Sequence, residues 1–115
     1  MSNIESLEND LPLIAEYSKM FKALSNPIRL RIFLRSLAKH PPGTIVDIDV
    51  DTMLSCQRSL AEEYGLAPST ISHHIKELSN VGLLHVQRTG QQVAIWVDVD
   101  AVEKLKLFFN HVSNE

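Results

Sequence analysis

The chain has 115 residues, of which 44% are hydrophobic and 22% are charged, so it is large enough for one compact domain with a modest core. It has no run of roughly 20 apolar residues, and its first residues lack the basic-then-apolar order of a secretory signal. A single cysteine, Cys56, excludes internal disulfides and metal sites built from several thiolates of one chain. Together these features lead us to expect a cytoplasmic protein with no membrane association.

The net charge of −3 conceals an uneven distribution of charged residues. Acidic residues are absent from residues 17–46 and from residues 78–97. The first of these stretches carries the basic residues Lys19, Lys22, Arg29, Arg31, Arg35 and Lys39. Because a phosphate backbone responds to the local field more than to the net charge, the overall acidity does not exclude a nucleic-acid partner.

Two helices are predicted in the first 40 residues. A cap at Asn9 or Asp10 begins a helix over about residues 10–21, in which apolar residues recur at helical spacing. A second helix begins at Pro27, behind an asparagine cap, and ends before the segment His40–Gly43. Its apolar residues lie nearly all round, so we expect this helix to be central.

Residues 44–51 alternate β-branched and acidic side chains, which predicts a half-buried strand at the edge of a sheet. In a strand, Asp47, Asp49 and Asp51 share one face. Such a face attracts cations, but alternating acids more often keep an exposed edge from pairing with another chain. We therefore expect an edge strand with an acidic outer face.

A helix-turn-helix and a hairpin follow. Helical spacing returns from Leu54 to Tyr64, a turn beginning at Gly65 breaks it, and a second helix covers residues 68–80. Two short strands then flank a polar tip at residues 88–92, which makes residues 83–98 a hairpin. A hairpin placed directly after a helix-turn-helix is a wing.

A helix over about residues 100–113 completes the predicted order. Its apolar face carries Val102, Leu105, Phe108, Phe109 and Val112. Such a face needs a cover, and a short chain with a modest core gains buried area by dimerising. The predicted fold is mainly α with a small β component, α-α-β-α-α-β-β-α, forming a single winged helix-turn-helix domain over residues 1–115.

The helix at residues 68–80 buries one apolar face and exposes a polar one. The polar face carries Ser69, Thr70, Ser72, His73 and Lys76. These groups suit hydrogen bonds to base edges and phosphates when a helix lies in the roughly 12 Å wide major groove of DNA. Any solvated helix shows the same residue types, but the neighbouring helix and wing favour DNA binding, with Arg88 and Gln91 reaching the adjacent minor groove or its phosphates.

Two segments resemble a known family. Residues 21–32, FKALSNPIRLRI, are similar to the ALxxPxRLxIL opening of the ArsR/SmtB-type repressors, and residues 68–78, PSTISHHIKEL, resemble their STVSHHLKxL recognition helix. The resemblance runs from about Tyr17 to Phe109. It implies a homodimer formed by the helices at about 10–21 and 100–113, a palindromic double-stranded DNA operator, and an inducer, often a metal ion, that releases the operator.

The thiolate metal site that the resemblance implies is incomplete. The family's Cys-x-Cys pair corresponds to Cys56-Gln57-Arg58, in which Arg58 replaces the second thiolate with a positive charge. We expect no metal there. Instead, we expect Cys56 to be a partly buried small side chain, with a redox role if Arg58 stabilises its thiolate.

The second metal site that the resemblance implies lies on the last helix and pairs across the dimer. Its four positions correspond here to Asp98, Asp100, His111 and Asn114, of which two match. Zinc favours imidazole and thiolate over this mixture, and Asn114 is a poor substitute for an anionic ligand. Two interpretations remain. Either Asp98, Asp100 and His111 bind a zinc-like divalent metal that acts as the inducer, or an aspartate only caps the start of the helix and His111 is an isolated surface residue.

Three classes of function are compared. The sequence has no Ser/His/Asp order, no glycine-rich phosphate loop and no His/Cys cluster of ligand spacing, so an enzyme is not expected. The helix-turn-helix, the wing and the family motifs favour a transcriptional repressor. The acid-rich strand and the net negative charge favour the alternative, a winged-helix interaction or ligand-responsive module that does not read DNA.

Overall fold

The computed structural model describes residues 3–113, which form six helices and three strands. The helices are α1 (Asn3–Asn9), α2 (Leu11–Leu24), α3 (Pro27–Lys39), α4 (Val50–Tyr64), α5 (Pro68–Asn80) and α6 (Val99–Ser113). The strands are β1 (Val46–Asp49), β2 (Leu84–Thr89) and β3 (Gln92–Val97). The mainly helical fold with a small β component is confirmed, and its order contains one helix, α1, that the sequence did not predict.

The N-terminal helices meet at Asp10. Its carboxylate Oδ1 accepts a hydrogen bond from the Leu13 amide at 3.2 Å and so caps α2, whereas the alternative cap, Asn9, ends α1. The seven-residue α1 buries only Leu7. One buried apolar residue gives no helical periodicity, which is why α1 escapes a prediction based on spacing.

Helix α3 begins as predicted and is only partly buried. The Asn26 side chain accepts hydrogen bonds from the amides of Ile28 and Arg29 at 2.9 and 3.1 Å, with Pro27 at the first helical position. Although apolar residues lie nearly all round this helix, Leu30 and Leu34 are exposed. Helices α2 and α5 cover only one of its faces.

Strand β1 is the edge strand that the acidic alternation predicts. It pairs only with β3, with Val46 and Ile48 half-buried and Asp47 exposed on the other face. The predicted strand is too long, because the Asp49 carboxylate accepts a hydrogen bond from the Thr52 amide at 2.6 Å and caps α4. Asp51 therefore lies in the first turn of α4 and does not share the strand face.

The sheet has the order β1-β3-β2 and is antiparallel throughout. A two-residue turn, Gly90-Gln91, joins β2 to β3, and Gly90 takes a φ of +63°, which glycine adopts without strain. The predicted five-residue tip is wrong, because Arg88 and Gln92 belong to the paired strands. The wing is therefore a longer and more regular ribbon than the sequence indicates.

The core is formed by residues of all six helices together with β2 and β3, and α4 and α5 are the helices that contact the sheet. Its fully buried side chains are Ile71, Leu78, Leu83 and Val93. The recognition-type helix α5 supplies two of the four, so its position is fixed by the core. Among residues 3–113, the helices are too short or too polar to cross a bilayer.

Candidate nucleic-acid interface

Helix α5 has one face in the core and one in solvent. Ile71 and Leu78 are completely buried, while the residues predicted to read DNA lie on the opposite side. Of these, Ser69, Ser72, His73 and Lys76 are exposed and Thr70 is half-buried. The structure therefore brings the five side chains together on one accessible helix surface.

The turn between α4 and α5 fixes the angle at which this surface is presented. Gly65 takes a φ of +68°, and the amide of Leu66 donates to the Ala61 carbonyl at 2.9 Å, which together close α4 with the usual glycine C-terminal motif. Helix α5 restarts three residues after Gly65, with Pro68 in its first turn. Its N-terminal cap residue, Ala67, makes no side-chain hydrogen bond, but its carbonyl accepts hydrogen bonds from the amides of Thr70 and Ile71 at 3.0 and 3.3 Å.

A buried polar contact holds α5 against the preceding helices. The Arg29 guanidinium donates through Nε to the Ala23 carbonyl at 2.7 Å, and its Nη1 lies 3.3 Å from His74 Nδ1. Since arginine has no acceptor, Nδ1 of His74 accepts this hydrogen bond. Burial, the Arg29 charge and His73 lower the pKa of His74, which keeps the ring neutral in this role.

The sequence leaves Arg29 open as either a surface residue or a phosphate ligand. In the structure Arg29 is half-buried, and both of its hydrogen bonds are made within the fold. Its partner, His74, was not predicted, although the apolar spacing contains the signal: position 74 is three residues after Ile71 and four before Leu78, on the buried face. The exposed His73 is the histidine that faces solvent.

Arg31 and Arg35 pack on the end of α4. Their guanidinium carbons lie 4.2 and 5.5 Å from the centre of the Tyr64 ring, and Arg35 Nη1 pairs with Glu63 Oε2 at 2.6 Å. The hydroxyl of Tyr64 is buried and has no hydrogen-bond partner among residues 3–113. These two arginines therefore brace α3 against α4, away from the polar face of α5.

The wing lies beside that polar face. Arg88 is exposed on β2 and donates through Nε to the Gly90 carbonyl at 2.8 Å, and Gln91 is exposed at the turn. Ser72 of α5 and Arg88 border the same cavity of about 260 Å³. The polar helix surface and the wing thus lie on either side of one small cavity, whose other lining residues are mainly apolar.

An aromatic cluster joins α2 to α6 on a different side of the molecule. The rings of Tyr17, Phe21 and Phe108 lie 4.9 to 6.2 Å apart, and the Tyr17 hydroxyl donates to the Lys104 carbonyl at 2.6 Å. Lys104 also pairs with Glu16. Large apolar side chains on these two helices remain exposed, namely Leu11, Ile14, Leu107, Phe109 and Val112.

The helix-turn-helix segment decides the family resemblance. Residues 55–86, from the middle of α4 to the first half of β2, match the family model described as bacterial regulatory protein, arsR family. This part of the chain is similar to the ArsR-type regulators. No curated protein sequence matches the chain.

Solved structures share the winged helix-turn-helix fold of this chain. A crystal structure of an ArsR family transcriptional regulator has a TM-score of 0.61 and 15% identity, over 87% of this chain and 89% of that one. HlyU from Vibrio cholerae has a TM-score of 0.53 and 22% sequence identity, and the match covers 84% of this chain and 89% of HlyU. A third structure is the homodimeric winged helix-turn-helix DNA-binding domain of a possible ArsR-family regulator from Mycobacterium bovis. It has a TM-score of 0.55 and 21% sequence identity, and the match covers 93% of this chain and 86% of that domain. At these identities the likeness concerns the fold.

The metal ligands that the ArsR resemblance suggests are far apart in one chain. Asp98 is engaged by both oxygens, with Oδ1 accepting from the Ala101 amide at 2.8 Å and Oδ2 lying 2.7 Å from His85 Nε2. Asp100 and His111 stand at opposite ends of α6, roughly 16 Å apart along the axis. Within residues 3–113, no three His, Cys, Asp or Glu side chains cluster for a metal, and Asn114 lies outside the described residues.

Cys56 does not have the surroundings that the sequence suggests. The prediction of a partly buried thiol is wrong, because the Cys56 side chain is exposed on α4. Arg58 follows two positions later on the same helix, and residues two apart point to different sides. Stabilisation of a thiolate by Arg58, on which the redox hypothesis depends, therefore has no support in the geometry of α4.

Proposed function

We propose that this chain is a DNA-binding transcriptional regulator that reads a palindromic operator as a homodimer. The observation that carries the proposal is the exposed polar face of α5, held by the Arg29–His74 contact and flanked by Arg88 on the wing. Ser72 and His73 are assigned to base edges, and Lys76 and Arg88 to phosphates. The family match over residues 55–86 supports the same assignment.

The apolar surface of α2 and α6 supports the homodimer. Leu11 and Phe109 are 71% and 58% exposed, which is unusual for large apolar side chains unless another surface covers them. A two-fold axis through this surface presents two copies of α5 to DNA, and half-sites one helical turn apart, roughly 34 Å, then give an imperfect palindrome. The proposal also includes that the dimer represses transcription and that an inducer releases it from the operator.

Binding to the region upstream of the chain's own gene tests the proposal. Fluorescence anisotropy over a range of salt concentrations gives the number of phosphate contacts, since each contributes about 0.9 to the slope of log K against log salt. We expect Lys76→Ala to reduce that slope by about 1 per protomer. Lys106→Ala, an exposed lysine on α6, is the matched control and should leave the slope unchanged.

Sequence reading is tested separately. His73→Ala should lower the preference for the operator over a scrambled duplex while leaving salt-dependent binding to both, since loss of a base contact costs about 1–3 kcal/mol of discrimination. A wild-type protein that binds no duplex in a salt-dependent way would refute the proposal. That result would favour the interaction module that the acidic β1 edge suggests.

A further inference from the structure

A cleft of about 720 Å³ lies inside the protomer, between the inner face of the sheet and helices α3 and α4. This volume falls within the roughly 300–1,000 Å³ of small-molecule sites. Its apolar walls include Val46, Ile48 and Ile95 from the sheet and Ile32, Leu60 and Ile75 from the helices. The cleft is separate from the exposed face of α2 and α6 that we assign to the dimer.

Gln57 gives this cleft a specific polar feature. It lies on the inner face of α4, lines the cleft, and is only 8% exposed. Its carboxamide, with two donor hydrogens and one acceptor oxygen, makes no hydrogen bond to another group of residues 3–113, and its polar atoms stay accessible from the cleft. The amide is therefore free to pair with a molecule that enters the cleft.

The charged groups of the cleft lie at its rim. Lys39 and Asp51 are exposed there, and Arg35 is already paired with Glu63. The lining is otherwise mainly apolar, with the Gln57 amide and several hydroxyl side chains among its polar groups. An ion or a nucleotide would lose its hydration without gaining a charged partner in that interior, whereas an apolar molecule would lose little.

We propose that the cleft binds an uncharged aromatic or branched aliphatic molecule with one hydroxyl, carbonyl or amide group that pairs with Gln57. A neighbouring cavity of about 260 Å³ lies between this site and the polar surface. It shares Met53, Gln57 and Val86 with the cleft and is bordered by Ser72 and Arg88. A ligand on Gln57 therefore acts next to two residues of the DNA-reading surface, a link that rests on the function proposed above.

Direct binding is measured without DNA, using 2-naphthol as the probe and naphthalene as its match without a hydroxyl. In spectra of the full chain with labelled isoleucine methyl groups, 2-naphthol should shift Ile48 and Ile95 and leave Ile14, on α2, unchanged. We expect 2-naphthol to bind at least tenfold more tightly than naphthalene. Gln57→Leu, which keeps the side-chain size, should abolish that difference.

A filled cleft provides the second test. Ile48→Trp places a large side chain in the cleft and should abolish probe binding, while Asp47→Trp, on the outer face of the same strand, should leave it intact. Wild-type protein that shows no methyl shifts up to the solubility limit of 2-naphthol would overturn the proposal. So would a preference for 2-naphthol that survives in Gln57→Leu, or shifts that centre on Ile14.

Coupling to DNA is a separate readout. Saturating 2-naphthol should change the operator affinity of the wild type at least threefold and that of Ile48→Trp not at all. Probe binding with no change in operator affinity would overturn the link between Gln57 and the polar surface. Because probe binding is measured without DNA and operator binding without probe, failure of the ligand site and failure of the proposed function are distinguishable.

Discussion

Asp98 ties the wing to the last helix through both oxygens of its carboxylate, one capping α6 and one facing His85. Loss of an N-cap side chain costs about 1 kcal/mol, and a side-chain hydrogen bond contributes about 1 kcal/mol. We therefore expect Asp98→Ala to lower the free energy of unfolding by about 1–2 kcal/mol, or roughly 4–8 °C in Tm. Urea and thermal unfolding at pH 7 and one fixed protein concentration measure both quantities.

The contribution of Asp98 to the free energy of unfolding should decrease as the pH falls. Burial alone raises the pKa of Asp98, but hydrogen bonds from His85 and the Ala101 amide outweigh it, so the pKa lies below its ordinary value. A carboxylate with a lowered pKa stabilises the fold above its unfolded pKa of about 3.9, and this contribution is lost as the pH falls through the folded pKa. The difference between wild type and Asp98→Ala should shrink accordingly in acid.

Asp98→Asn separates the two roles of this side chain. Asparagine caps helices as well as aspartate does but carries no charge for His85, so this variant should lose less stability than Asp98→Ala. An alanine variant within about 0.5 kcal/mol of wild type at pH 7 would refute the reasoning, because that is the range of neutral surface substitutions. A loss in Asp98→Ala that stays the same in acid would also refute it.

Three further outcomes are expected. Leu78→Ala should cost about 2–5 kcal/mol in urea unfolding because Leu78 is completely buried, whereas the exposed Leu34→Ala should cost less than about 0.5 kcal/mol. Burial, followed by the Arg29 charge, lowers the pKa of His74, so stability should fall as the pH drops below about 6.5, with a smaller slope in His74→Gln; equal slopes would contradict this. Phe109→Asp should shift sedimentation from dimer to monomer with helical circular dichroism intact, and an unchanged dimer would place the interface elsewhere.

Local signals in the sequence predicted most helix boundaries. Asn26-Pro27 and Gly65 act within one turn of the helix that they begin or end, so their effect is visible without knowledge of the fold. The alternation at residues 44–51 misled the prediction at Asp49, because one side chain both continues a strand pattern and caps a helix. Helix α1 depends on Leu7 packing within the core, which a local pattern does not contain.

The candidate interface also combines features that the sequence predicts with features that depend on the packing of the fold. The polar face from Ser69 to Lys76 follows from helical spacing alone. The contact between Arg29 and His74 joins residues 45 positions apart, and its existence depends on how α3 packs against α5. The burial of the Gln57 side chain is likewise invisible in the sequence, since glutamine is common on exposed helix surfaces and only the packing of the fold buries it.

The exposed position of Cys56 has a practical consequence. It is the only thiol in the chain, and it borders the cleft immediately beside Gln57. A polarity-sensitive maleimide dye would therefore attach at a single known address, with no competing cysteine to remove and no new one to introduce. Its emission would follow the filling of the cleft in real time, and energy transfer between two such dyes in one dimer would report the distance between the protomers on and off DNA.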